Sequence, residues 1–186
     1  MIFAIVALAL YAPPIWQLLN VPLIIVNITL DGLDGIIARA RAESTPFGAI
    51  YDIAADRIIE ITLWIVLAQL NMVSIWIALI FVARGVLVDN LRKHSTKTGE
   101  APFSIMKTHL GKYLVAGRAM RFLYGLMKLI TFAWLLLMLP LPSLLPHLYY
   151  NYDLIFNSIS NVLITITVFI CLIRGIPVII ESFMLK

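Results

Sequence analysis

Apolar residues along this chain come in long unbroken runs, and the polar residues crowd the ends of those runs. A bilayer-spanning helix needs about 20 mostly apolar residues, because every backbone amide in hydrocarbon must be satisfied internally. Met1–Tyr11 is apolar, stops at Pro13-Pro14 and is too short to span alone. It lacks the basic start of a signal peptide and reads as the second half of a first helix whose beginning is missing. The second run, from Ile15 to about Arg41, is apolar in its first half and carries Asp31, Asp34, Arg39 and Arg41 in its second. The third, about Phe47–Leu70, reverses the order: Asp52, Asp56, Arg57 and Glu60 come before the apolar stretch Ile61–Leu70. Met72–Leu91 and Tyr113–Leu139 supply a fourth and a fifth span. Leu154 to about Phe183 supplies a sixth, punctuated by Gly175 and Pro177. The expectation is an all-α integral membrane protein, a six-helix bundle forming one domain over residues 1–186, with a polar cavity at one face.

Composition agrees. Hydrophobic residues make up 62% of the chain and charged residues 13%, against about 25% charged in soluble domains. Disorder, collagen-like repeats and a disulfide scaffold are excluded on the same ground. The single cysteine, Cys171, lies in an apolar run and reads as a packing thiol. Lys and Arg are absent from the segments near Pro13-Pro14, Gln69–Asn71 and Pro140–Tyr152, whereas Arg39, Arg41, Arg92, Lys93, Lys97, Lys107, Lys112 and Lys186 fall on the opposite side. That asymmetry puts the second-to-third loop, the fourth-to-fifth loop and the C-terminus in the cytoplasm. Tyr149, Tyr150 and Tyr152 form an aromatic anchor at the other interface. The net charge of +4 is a topology signal, and nothing beyond it argues for nucleic acid.

Four aspartates near the cytoplasmic interface carry the chemistry. On an α-helix Asp31, Asp34, Gly35, Ala38 and Arg39 share one stripe, and Gly48, Asp52 and Asp56, spaced by four, share another. The segment Ala40–Phe47 supplies a turn that lets the two faces meet, with Thr45 as helix cap and Pro46 at the first helical position. Carboxylates converging from facing helices repel unless a cation sits between them, and oxygen-only ligation suits Mg²⁺, Mn²⁺ or Ca²⁺. The glycines admit a bulky group close to the backbone, and Arg39 offers a fork of donors for phosphate. The pattern describes a divalent-metal phosphate site at a membrane surface. Interfacial carboxylates reaching water would explain one such aspartate, but not four on two stripes.

Asp31-Gly-Leu-Asp34-Gly35-Ile-Ile-Ala38-Arg39, then eight residues, Gly48, three residues, Asp52, three residues and Asp56 resembles the CDP-alcohol phosphotransferase signature at every one of its eight positions. The resemblance implies an enzyme of a bacterial-type inner membrane that transfers a phosphatidyl group from CDP-diacylglycerol to an acceptor hydroxyl and releases CMP. It also implies a homodimer of six-helix protomers, a cavity open to the cytoplasm and two Mg²⁺ or Mn²⁺ ions. Carried over by position, Asp31, Asp34, Asp52 and Asp56 would ligate metal, with Asp56 also the general base. Asp31, Asp34, Gly35, Ala38, Arg39, Gly48 and Asp52 would bind the CDP-lipid.

The acceptor is argued from the remaining cations. Arg84, Arg92, Lys112, Arg118 and Arg121 gather around the fourth-to-fifth loop, and Arg84 falls inside an apolar run where a lone charge is costly. They suit an acceptor that carries its own phosphate. Ala83-Arg84, Leu91-Arg92 and Gly111-Lys112 resemble bacterial phosphatidylglycerophosphate synthases, although Gly85 stands where those enzymes usually carry Glu and Tyr113-Leu114 departs from their pattern. Glycerol 3-phosphate is therefore the favoured acceptor. Asp56-Arg57 is similar to inositol-type members, which keeps inositol phosphate, inositol or serine as alternatives. An ion-coupled transporter would also place charges in spans, but it predicts them near the midplane rather than crowded at one interface.

Overall fold

The computed structural model describes residues 1–40, 46–97 and 117–183. Every regular element among them is a helix: α1 (Ile2–Tyr11), the single turn α2 (Pro14–Gln17), α3 (Asn20–Ala40), α4 (Pro46–Gln69), α5 (Ile75–Lys97), α6 (Arg118–Met138), the short α7 (Leu141–Leu144) and α8 (Pro146–Asn151), and the long α9 (Asp153–Phe183).

Local chemistry explains most boundaries. Pro14, Pro46 and Pro146 each open a helix, where a missing N–H is harmless and the fixed φ is already helical. Sequence spacing implies one helix from Ile15 onward, yet the structure divides it into α2 and α3. The cause is Pro22: it cannot donate to the carbonyl one turn back, and its ring crowds that turn. The chain therefore restarts at Asn20, with Val21 N–H bonding Leu18 O at 3.3 Å and Leu23 N–H bonding Leu19 O at 3.1 Å. Gln17 donates its side-chain amide to Ala12 O at 3.1 Å and thereby satisfies a carbonyl at the end of α1. At the end of α4, Met72 N–H reaches Leu67 O and Asn71 N–H reaches Ala68 O, both at 3.0 Å. This is a Schellman cap closed by Asn71 at φ 57°, a left-handed conformation that asparagine tolerates better than most residues. Gly175 and Pro177 do not end the last helix, which runs through both to Phe183.

The core is aromatic at its centre. Trp64 of α4 is fully buried, stacks on Phe81 of α5 with centroids 4.5 Å apart and tilts against Phe132 of α6 at 4.9 Å. The helices α6 and α9 are joined by a buried hydroxyl pair, Thr131 and Thr167, at 2.8 Å. The cysteine Cys171 is fully buried beside this cluster. The outer surface is apolar too: Phe3 is 83%, Leu154 80% and Phe122 73% exposed. Among the described residues, Ala119–Leu144 and Asp153–Ile180 are helical stretches long and apolar enough to cross a membrane; Ile2–Tyr11, Pro14–Leu30 and Ile75–Val88 are apolar but shorter. In α3 and α4 acidic and basic residues cut the apolar stretch short.

Candidate active site

Asp31, Asp34, Gly35, Ala38 and Arg39 all fall within the helical backbone of α3, and Gly48, Asp52 and Asp56 within that of α4. The side chains of residues 31–40, Asp52, Arg92 and Arg118 lie outside the described set, and Lys112 and the turn with Thr45 lie outside the described residues altogether. Gly48 and Asp56 are exposed.

A cavity of about 230 Å³ opens between α3, α4 and α6, and its polar lining comes from Asn27, Asp56, Glu60 and Lys128, with Gly125 beside them. At about 100° per residue, Asp31 and Asp34 lie on the face of α3 that Asn27 occupies, four and seven residues further on. Asp52, Asp56 and Glu60 form a single row on α4. The residues immediately before the α3 motif and at the end of the α4 motif thus share one cavity.

Behind Asp56 the cavity wall is a buried ionic cluster. Glu60 is only 4% exposed. Its Oε2 accepts from Arg57 Nη1 at 2.6 Å, and its Oε1 accepts from the Tyr124 hydroxyl at 2.7 Å, with Lys128 Nζ at 3.4 Å. Arg84 is buried as well; its guanidinium lies 5.9 Å from the centre of the Tyr124 ring, and that of Arg174 lies at 5.0 Å. Two glycines make room for the arginine stems. A Cβ on Gly85 would stand 3.1 Å from Arg57 Cδ, and one on Gly175 would stand 2.9 Å from Arg84 Cγ. The glycine at 85 thus provides the space into which Arg57 extends toward Glu60.

Of the cations marked in the sequence, the structure brings Arg84 into this cluster and leaves Arg121 exposed at the start of α6. Sequence reasoning marked Glu60 only as one of the charges at the start of the third run and gave no site role to it, Tyr124, Lys128 or Arg174. The signal was present for three of them: Glu60 continues the four-residue spacing of Asp52 and Asp56, and Tyr124 and Lys128 are themselves four apart. Periodicity shows a shared face but not which face is buried.

The aspartate set provides carboxylate oxygens alone, which fits a hard divalent cation such as Mg²⁺ or Mn²⁺ and not zinc. Among the described residues no group of three or more potential metal ligands occurs, and Asp56 is the one member of the set whose side chain is described.

A model of the family described as CDP-alcohol phosphatidyltransferase matches residues 1–173. Three bacterial proteins named CDP-diacylglycerol--glycerol-3-phosphate 3-phosphatidyltransferase are similar to the chain. The one from Bacillus subtilis is 31% identical over 47% of this chain and 45% of its own length. The one from Pectobacterium atrosepticum is 31% identical over 61% of this chain and 63% of its own length. The third, from Sodalis glossinidius, is 29% identical over 68% and 67%. The chain therefore spans between about half and two thirds of the length of the relatives it matches. No solved structure matches it.

Proposed function

The chain belongs to the CDP-alcohol phosphatidyltransferase family, and from that premise we propose that it transfers the phosphatidyl group of CDP-diacylglycerol to glycerol 3-phosphate, releasing CMP and forming phosphatidylglycerophosphate. The observation that carries the reading is the polar cavity that receives Asp56, the last aspartate of the signature, together with Asn27 and Lys128. The relatives named for glycerol 3-phosphate support this acceptor over inositol phosphate, inositol or serine.

The acceptor hydroxyl attacks the lipid-side phosphorus, the bond from that phosphorus to CMP breaks, and the hydroxyl proton passes to Asp56. An exposed carboxylate at a cavity rim is suited to that role, since a general base must reach the proton it removes. The family is generally divalent-metal dependent; Asp31, Asp34, Asp52 and Asp56 would hold two ions, which when bound offset negative charge on the diphosphate. Gly35, Ala38 and Gly48 leave room for the nucleotide beside the helix backbones, and Arg39 donates to phosphate. Arg84, Arg92, Lys112, Arg118 and Arg121 supply positive charge toward the acceptor phosphate. The apolar outer surface and the two bilayer-length helices support a membrane protein. We read its architecture as a single domain with six spans, its cavity on the basic, cytoplasmic side, paired as a homodimer.

The test is CMP release from CDP-diacylglycerol by purified protein with Mg²⁺, offering glycerol 3-phosphate, inositol, inositol phosphate and serine separately. Release with glycerol 3-phosphate alone is expected. Release only with another acceptor would overturn the acceptor, and an absence of CDP binding would overturn the reaction class.

A further inference from the structure

The cavity beside Asp56 contains a cation whose position is unusual. Lys128 lies ten residues beyond Arg118 in α6, about 15 Å along the helix axis at 1.5 Å per residue, and its side chain is only 17% exposed. A lysine near the middle of a helix apolar enough to cross a membrane is costly, so its retention needs a reason.

Pairing with Glu60 accounts for part of it. That carboxylate, however, already accepts from Arg57 at 2.6 Å and Tyr124 at 2.7 Å, and Lys128 stands off at 3.4 Å. Strong ammonium–carboxylate hydrogen bonds are about 2.7–2.9 Å. An ammonium has three donors, and among the described residues Lys128 has this long contact and the face of the Tyr124 ring, 4.7 Å from its centre, which leaves donor capacity for a ligand. Other cations gather here: Arg84, 7% exposed, also lies against Tyr124, and its Nε has no hydrogen-bond partner among the described residues. Lys128 lines the same cavity as Asp56 and Asn27.

We propose that Lys128 is a specificity-determining residue that binds a phosphate group of the acceptor in this cavity, and that Glu60 and Tyr124 are the positioning residues that hold its ammonium toward Asp56. The inference rests on the function proposed above and names a residue beyond its set. Phosphate oxygens can enter the cavity from the acceptor or from the CDP-lipid. The acceptor is favoured because its attacking hydroxyl must reach Asp56, which puts the rest of a small molecule within the same walls.

The experiment compares Lys128→Met with wild type in the full chain, purified in detergent, measuring KM for sn-glycerol 3-phosphate and for CDP-diacylglycerol. A hydrogen bond to a charged group contributes about 1.5–3 kcal/mol, so the acceptor KM should rise about ten- to hundredfold while that for CDP-lipid stays within about twofold. Lys128→Arg should recover part of the loss. Glu60→Gln should also raise the acceptor KM, and adding Lys128→Met to it should cost less than the two separate effects combined. An unchanged acceptor KM, or equal rises for both substrates, would overturn the proposal. Equilibrium binding of radiolabelled sn-glycerol 3-phosphate to CDP-saturated protein supplies a readout without turnover. Lys128-dependent binding in a wild-type protein that releases no CMP would sink the proposed reaction and leave this inference standing. Full activity with Lys128-independent binding would sink the inference alone.

Discussion

Gly175→Ala sets two opposed effects against each other at one atom. Gly175 lies inside α9, where replacing glycine by alanine favours the helix by about 1 kcal/mol. The new Cβ, however, would stand 2.9 Å from Arg84 Cγ and 3.3 Å from Arg84 Nε. Carbon–carbon contacts settle near 3.5–4.0 Å, so Cγ must retreat by roughly 0.6 Å or more. Cγ is near the root of the side chain and Arg84 is buried, so the whole guanidinium is carried with it through packed surroundings. Overpacking of this kind costs about 1–3 kcal/mol, and the propensity gain leaves a net destabilisation of about 0–2 kcal/mol. At about 2–4 °C per kcal/mol for a chain of this size, Tm should fall by about 0–8 °C. Function should suffer more than stability. A displacement near 1 Å at a positioned group can cost up to about a hundredfold, and we expect the acceptor KM to rise about tenfold. Gly125→Ala is the matched comparison for stability alone, since Gly125 lines the cavity: it is also inside a helix, and nothing lies within 4 Å of its added Cβ, so the propensity gain remains and Tm should hold or rise. The assay is thermal unfolding in detergent together with acceptor titration of CMP release. A Gly175→Ala protein with wild-type acceptor KM and unchanged or higher Tm would refute the claim that this glycine exists to seat Arg84.

Three further outcomes are expected. Asp56→Asn should leave CDP-lipid binding largely intact and lose about 10²–10⁴-fold in CMP release; near-normal turnover would remove Asp56 from the role of base. Chelation of divalent cations should abolish CMP release, and Mg²⁺ or Mn²⁺ should restore it where Zn²⁺ does not, checked by metal titration after dialysis; activity that survives exhaustive chelation would contradict the carboxylate assignment. Trp64→Ala removes a fully buried ring stacked on Phe81 and tilted on Phe132, at a cost of about 3–5 kcal/mol; a melting curve matching wild type would show that the aromatic centre does not hold α4, α5 and α6 together.

Much was legible in the residues themselves. Long apolar runs demand helices, because a backbone in hydrocarbon must bond to itself, and the observed helices follow those runs closely. The proline at position 46 announces the start of α4, and the Asp31–Asp56 spacing places the signature on two helices without reference to any contact. The break at Leu18–Leu19 was also written in the chain, as Pro22, though the continuous hydrophobicity concealed it.

Burial and partnership were not legible. Glu60 and Asp56 are one turn apart with the same functional group, yet Glu60 is closed in by Arg57, Tyr124 and Lys128 while Asp56 opens on the cavity. Helical periodicity assigns both to one face and says nothing of what stands opposite. That is decided by α6, some sixty residues away in sequence, and by glycines at 85 and 175 whose role is visible only once the arginine stems they accommodate are in place. Local spacing fixes which side chains share a surface; which charges meet across the bundle depends on how the helices pack, and so only the tertiary structure could show it.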